Sequence, residues 1–241
     1  MTLRQEGSIN PSKGRRNSLQ SSRNPKRTDH NDQTMRKKEI TKLLRALLQD
    51  FPDYEVQGDM MYGVPISHVL KGVVLDRSIS PSDYYAHVFL QPLYVPSEHV
   101  VLSLGWRLGG GVRSWNLDSE QDREEFARLL NVEAIPFLNK IHGPQDIIWA
   151  TSFVNKPGDL FVMKARAYSF ARIGNTENAV KYLDELIRFL GSNLKYEWQN
   201  ETYSKATFLK KLLIERPQDA QRLLDEWEQF TVKALKLGGG C

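Results

Sequence analysis

Imidazoles, thiols, glycine loops and paired carboxylates are where chemistry would start in this chain, and each set is thin. The histidines are His30, His68, His87, His99 and His142; no two stand three or four residues apart, and none has a carboxylate in a metal-binding register. Zinc needs three or four ligands converging at about 2 Å, so no metal centre is expected. Gly109-Gly110-Gly111 follows a strand pattern, but neither a helix nor a Lys-Ser/Thr pair comes after it. It reads as a hairpin turn, not a phosphate cradle. The sequence has no G-x-S-x-G elbow, and its one cysteine, Cys241, follows three glycines in a position that does not suit prenylation. The acid pairs Glu124-Glu125 and Asp184-Glu185 have bases nearby and read as solvated helix faces. No cofactor is expected.

A dispersed set is left. Arg107 alternates onto the more polar side of the strand pattern 99–108, next to Trp106, and Arg113 follows the glycine run. Two guanidiniums near a sheet edge could grip a carboxylate or phosphate. His87, on the neighbouring strand pattern, would complete an enzyme site. The competing reading pairs each arginine with an acid of the scaffold.

The elements that would position these residues are legible in the hydrophobic pattern. Ile40, Leu43, Leu44, Leu47 and Leu48 recur at helical spacing from Met35 to Asp50. Tyr54–Gln57 and Met60–Gly63 flank Gly58-Asp59, which suits a two-residue hairpin turn. Strand patterns follow at Val69–Leu75, Tyr84–Tyr94 and His99–Leu108. In the last, Val100, Leu102, Leu104, Trp106 and Leu108 make one apolar face, as a sheet packed on a single side requires. Pro92 has no N–H, which predicts an edge strand or a bulge. A short strand over 113–116 follows the glycines. A helix capped by Asp118 or Ser119 is then broken or kinked at Pro136, another follows Gly143-Pro144, and two helical hairpins occupy 160–190 and 202–237. The expected fold class is α+β, with a mainly antiparallel sheet of about five strands and covering helices over 35–143. C-terminal helical hairpins over 144–237 pack on it, with Trp149, Trp198 and Trp227 expected at the seam. Residues 238–241 are expected to be a flexible tail.

Charge and composition narrow the partners. Of 33 Lys/Arg and 29 Asp/Glu, residues 1–34 hold seven and three, which leaves the remainder with equal numbers of each. The folded part therefore offers no electrostatic reason to expect a polyanion. The Ser-, Asn- and Arg-rich residues 1–34 are expected to be disordered, either a solvated tail or an extension ahead of a start at Met35. A nonspecific nucleic-acid contact through this basic arm is an alternative. With no signal-like leader, no long apolar run and a single cysteine, a cytoplasmic protein without membrane contact is expected.

Residues 160–190 resemble one tetratricopeptide-type helical hairpin. The match lies in Ala167, Phe170, Gly174, Ala179 and Leu183, within Ala167-Tyr-Ser-Phe-Ala-Arg-Ile-Gly174-Asn-Thr-Glu-Asn-Ala179-Val-Lys-Tyr-Leu183. The resemblance implies close helix approach at the alanines, an aromatic filler and a glycine turn. Arg166 departs from it where the family carries an apolar residue, Leu186 stands at a usual alanine position, and Gly191 replaces the closing proline. No second copy follows, whereas an array needs about three units. The function expected from these readings is a non-catalytic protein-interaction protein, an adaptor or an immunity-type inhibitor. Arg107, Arg113, His87 and Arg166 are its candidate ligand or partner contacts.

Overall fold

The structure, a computed structural model, describes residues 28–238 except 79, 81, 112, 117, 155–157 and 192–193, with side chains from Lys38 onward. The described residues from Lys37 onward form one compact unit. The expectations for residues 1–27 and for Cys241 fall outside the described residues.

Helix α1 (Thr28–Leu47) starts ahead of Met35, where the apolar pattern begins. The sheet follows as β1 (Tyr54–Gln57), β2 (Met60–Gly63), β3 (Val69–Arg77), β4 (Asp83–Pro92) and β5 (Leu104–Arg107), antiparallel neighbours in that order. A sixth strand, β6 (Trp115–Asn116), also pairs with β4. The fold is α+β, as the sequence implies.

Three local expectations change. Strand β4 is central, lying between β3 and β5. Pro92 is tolerated because it is the last residue of β4 and β5 reaches only as far as Leu90, so no ladder bond is lost. Second, β5 is shorter than the alternation over 99–108 suggests. The buried Gln91 side chain takes over its first half, with Gln91 Nε2 donating to the His99 carbonyl at 3.2 Å and Val101 N donating to Gln91 Oε1 at 2.9 Å. Third, Gly109–Gly111 do not reverse the chain. Strands β5 and β6 run the same way along one side of β4, so the glycines make an excursion within a single edge.

Side-chain alternation splits the core in two. Met61, Val73, Val88, Leu90 and Leu104 point into the main cluster, which also takes Ile40 and Leu44 of α1 and buried residues of the helices that follow. Met60, Tyr62, Leu70 and Phe89 point the other way, against Leu93 and Leu237. The sheet is thus packed on both faces, because its second face is also apolar at one end. Among the described residues Gly72 and Gly105 both oppose Phe89 across the ladder. A Cβ at either glycine would fall against a neighbouring carbonyl oxygen, that of Met61 or Val88, closer than real Cβ atoms approach.

Helix α2 (Glu120–Leu129) is capped by Ser119 Oγ, which accepts from Asp122 N at 3.3 Å. A π-helical turn over Leu130–Ala134 then leads into α3 (Ile135–Leu138). The wider turn absorbs Pro136, which lacks the N–H for a regular helical bond, without ending the helix. Next come α4 (Pro144–Phe153), α5 (Leu160–Arg172), α6 (Thr176–Gly191), α7 (Glu197–Glu215) and α8 (Pro217–Ala234), consecutive helices packing pairwise. The turn between α5 and α6 uses Gly174 at φ +75°, a backbone region that glycine enters without steric cost. Several polar contacts tie these helices to the sheet unit. Tyr94 hydroxyl meets Ser169 Oγ at 2.6 Å in the interior, and Glu228 Oε2 meets His68 Nδ1 at 2.8 Å. Among the described residues no helix is long and apolar enough to cross a membrane.

Candidate functional site

Arg107 and His87 are direct cross-strand partners and share one face of the sheet. The Arg107 guanidinium lies 3.9 Å from the centroid of the Tyr85 ring, and its Nη1 donates to the Gly111 carbonyl at 2.9 Å. Burial, then the Arg107 charge, pushes the His87 pKa below its ordinary value, with Asp76 opposing. Arg113 goes elsewhere. Its guanidinium lies 4.0 Å from the Trp115 ring centroid, and Nη1 is 3.7 Å from Glu125. Trp115 opposes Tyr84, the neighbour of Tyr85, so the two arginines stack on opposite faces. The structure does not bring Arg107 and Arg113 together on one anion, and Arg113 already has acidic partners. Among the described residues no cluster of His, Cys, Asp and Glu could hold a metal ion.

Arg166 is a joint. Its Nε donates to Thr151 Oγ1 at 3.1 Å, and its Nη2 donates to the Thr151 carbonyl. Thr151 is fully buried near the carboxyl end of α4, where a cation suits the helix dipole. The guanidinium also lies 5.4 Å from the Tyr182 ring centroid on α6. Arg166 therefore orients α4, the helix that forms one wall of an apolar surface feature.

That feature is a groove of about 330 Å³ between β5 and α4, lined by Leu104, Trp106, Phe137, Trp149, Phe153 and Val154 among others, with no charged side chain among the described residues. Four of these form a continuous aromatic chain. Trp106 meets Phe137 edge-on at 4.6 Å between centroids, Phe137 meets Trp149 at 6.2 Å, and Trp149 meets Phe153 at 4.9 Å. Trp149 is 51% exposed and Phe153 68%. Contiguous exposed apolar surface of this kind marks an interaction site more often than scattered exposed residues do.

The groove runs beside the outer edge of β5. Leu108 N donates to the Ala86 carbonyl at 2.8 Å, so antiparallel alternation turns the main-chain groups of Leu104 and Trp106 toward β4. Those of Gly105 and Arg107 point away from it. The Arg107 carbonyl accepts from Gly110 N at 3.2 Å. Among the described residues no strand pairs the outer edge of β5. Open main-chain donors and acceptors thus lie alongside an aromatic trough.

Trp149 does not lie at the seam expected of it. In the structure Ile147 and Thr151 are buried, while Trp149 and Phe153 are exposed. A signal was present: 147/151 and 149/153 are two separate i, i+4 pairs on one ten-residue helix, and both cannot face one core. Trp198 is likewise exposed, whereas Trp227 packs on Tyr168 with ring centroids 5.3 Å apart. Comparison of the chain with protein-family models, curated proteins and solved structures finds no match.

Proposed function

We propose that this protein is a non-catalytic protein-interaction protein, an adaptor or immunity-type inhibitor, whose groove between β5 and α4 receives an extended, uncharged segment of a partner protein. The observation that carries this reading is the coincidence of the unpaired β5 edge with the aromatic groove beside it. A strand added to β5 would bond the outward main-chain groups of Gly105 and the Arg107 N–H. Its alternate side chains, on the Trp106 face, would enter the trough. The uncharged lining sets the class of segment, because a charged side chain there would lose water without gaining a partner.

Selection from a random-peptide display library tests this, with the exposed-site variants Trp149→Glu and Phe153→Ser as controls. Enriched peptides should carry apolar residues at every second position and bind Trp149→Glu about tenfold or more weakly. They should also slow hydrogen exchange at the Gly105 and Arg107 amides. Helical spacing in the enriched peptides, undiminished binding to both variants, or no enrichment overturns the reading. So does a dimer that Trp149→Glu disperses, since a second copy would then be the occupant.

Within this proposal the tetratricopeptide-type hairpin has a packing role. Ala167, Ala179 and Leu183 are fully buried in α5 and α6, and Phe170 stacks on Tyr182 at 5.2 Å.

A further inference from the structure

A second hollow, of about 320 Å³, opens among the turn at 96–98, α5, α7 and α8. Lys164 and Tyr168 come from α5, Trp198, Glu201 and Lys205 from α7, and Phe230 from α8. Its charges are unevenly satisfied. Lys205 Nζ is paired with Glu201 Oε1 at 2.5 Å, and Glu98 lies exposed on the turn. Lys164 is half-buried and makes no hydrogen bond or ion pair among the described residues; its ammonium stands 5.9 Å from the Phe161 ring centroid. Burial, then the neighbouring Lys205 charge, lowers the Lys164 pKa against the opposing pull of Glu201 and Asp159, as expected where burial of the charged form is the leading cause. Trp198 and Phe230, 52% and 45% exposed, add aromatic surface to a lining that is otherwise largely polar.

We infer that this hollow binds a small monoanionic carboxylic acid with an aromatic or branched apolar body, its carboxylate on the Lys164 ammonium and its body against Trp198 and Phe230. The volume falls in the range of small-ligand sites, where a few polar groups orient a largely apolar ligand. One carboxylate supplies the partner that Lys164 lacks. A phosphate dianion fits less well, because Glu201 and Glu98 also line the hollow. This site shares no residue with the groove, so each proposal can fail alone.

The test titrates the full chain with phenylacetate and isovalerate, and with phenylacetamide and isovaleramide, following amide shifts of Lys164 and Thr202 by NMR. The acids should bind, and the uncharged amides should bind about tenfold or more weakly. Lys164→Met should lose the same factor, while Lys164→Arg keeps the preference for acids. Equal binding of acid and amide, undiminished binding to Lys164→Met, or no shift with any of the four probes at millimolar concentration overturns the inference. The acid–amide comparison on the unaltered chain decides the matter even if Lys164→Met does not fold.

Discussion

Replacing Arg166 with alanine separates the two roles open to this residue, partner contact and internal joint. The change removes the Nε bond to Thr151 Oγ1 and the Nη2 bond to the Thr151 carbonyl. Thr151 stays buried, and its hydroxyl still donates to the Ile148 carbonyl at 2.7 Å. What is lost is the charged donor at the end of α4. Hydrogen bonds from charged groups contribute about 1.5–3 kcal/mol each. These two converge on one residue and are not additive, so the expected destabilisation is about 2–3 kcal/mol. For a unit of this size that corresponds to a fall in Tm of about 4–12 °C. Urea unfolding of the full chain measures the energy, and native-state hydrogen exchange locates it. The α4 amides should lose protection ahead of those of β4, because α4 loses its anchor while the sheet does not. Arg166→Lys should recover at most half, since an ammonium cannot reproduce the two-pronged geometry. A loss below about 0.5 kcal/mol, with unchanged exchange in α4, refutes the joint and returns Arg166 to the surface contacts.

Two further outcomes follow from the sheet. Gly72→Ala should cost about 1–3 kcal/mol in urea unfolding, because its Cβ would press on the Met61 carbonyl oxygen; an unchanged midpoint would mean that β2 and β3 separate freely there. His87 is held neutral below its ordinary pKa of 6.5. Between its folded and unfolded pKa values the unfolded chain binds a proton that the folded chain does not, so stability should fall as pH drops below 6.5 and continue falling through the folded pKa. His87→Gln should flatten that decline, measured as urea midpoints at about pH 7.5 and pH 5. An equal decline in the variant would assign the effect to other groups.

The sequence by itself determined what depends on neighbouring residues. The hairpin at Gly58-Asp59, the Ser119 cap, the Gly174 turn and the alternation that makes Val88 and Leu90 core residues all follow from rules spanning a few positions. Tertiary structure decided whatever turns on a distant partner. Gln91 displaces half of an apparent strand because its amide meets His99 and Val101 across the bend. Trp149 and Phe153 face outward because α4 spends its buried side on Ile147 and Thr151, and Arg166 fixes that orientation from α5. Lys164 is unremarkable along the chain and becomes singular only when α7 brings Lys205 and Glu201 beside it. Local periodicity records how much of a helix or strand is apolar. Which surfaces remain after the elements have covered one another is settled by packing, and both candidate sites of this protein are such remainders.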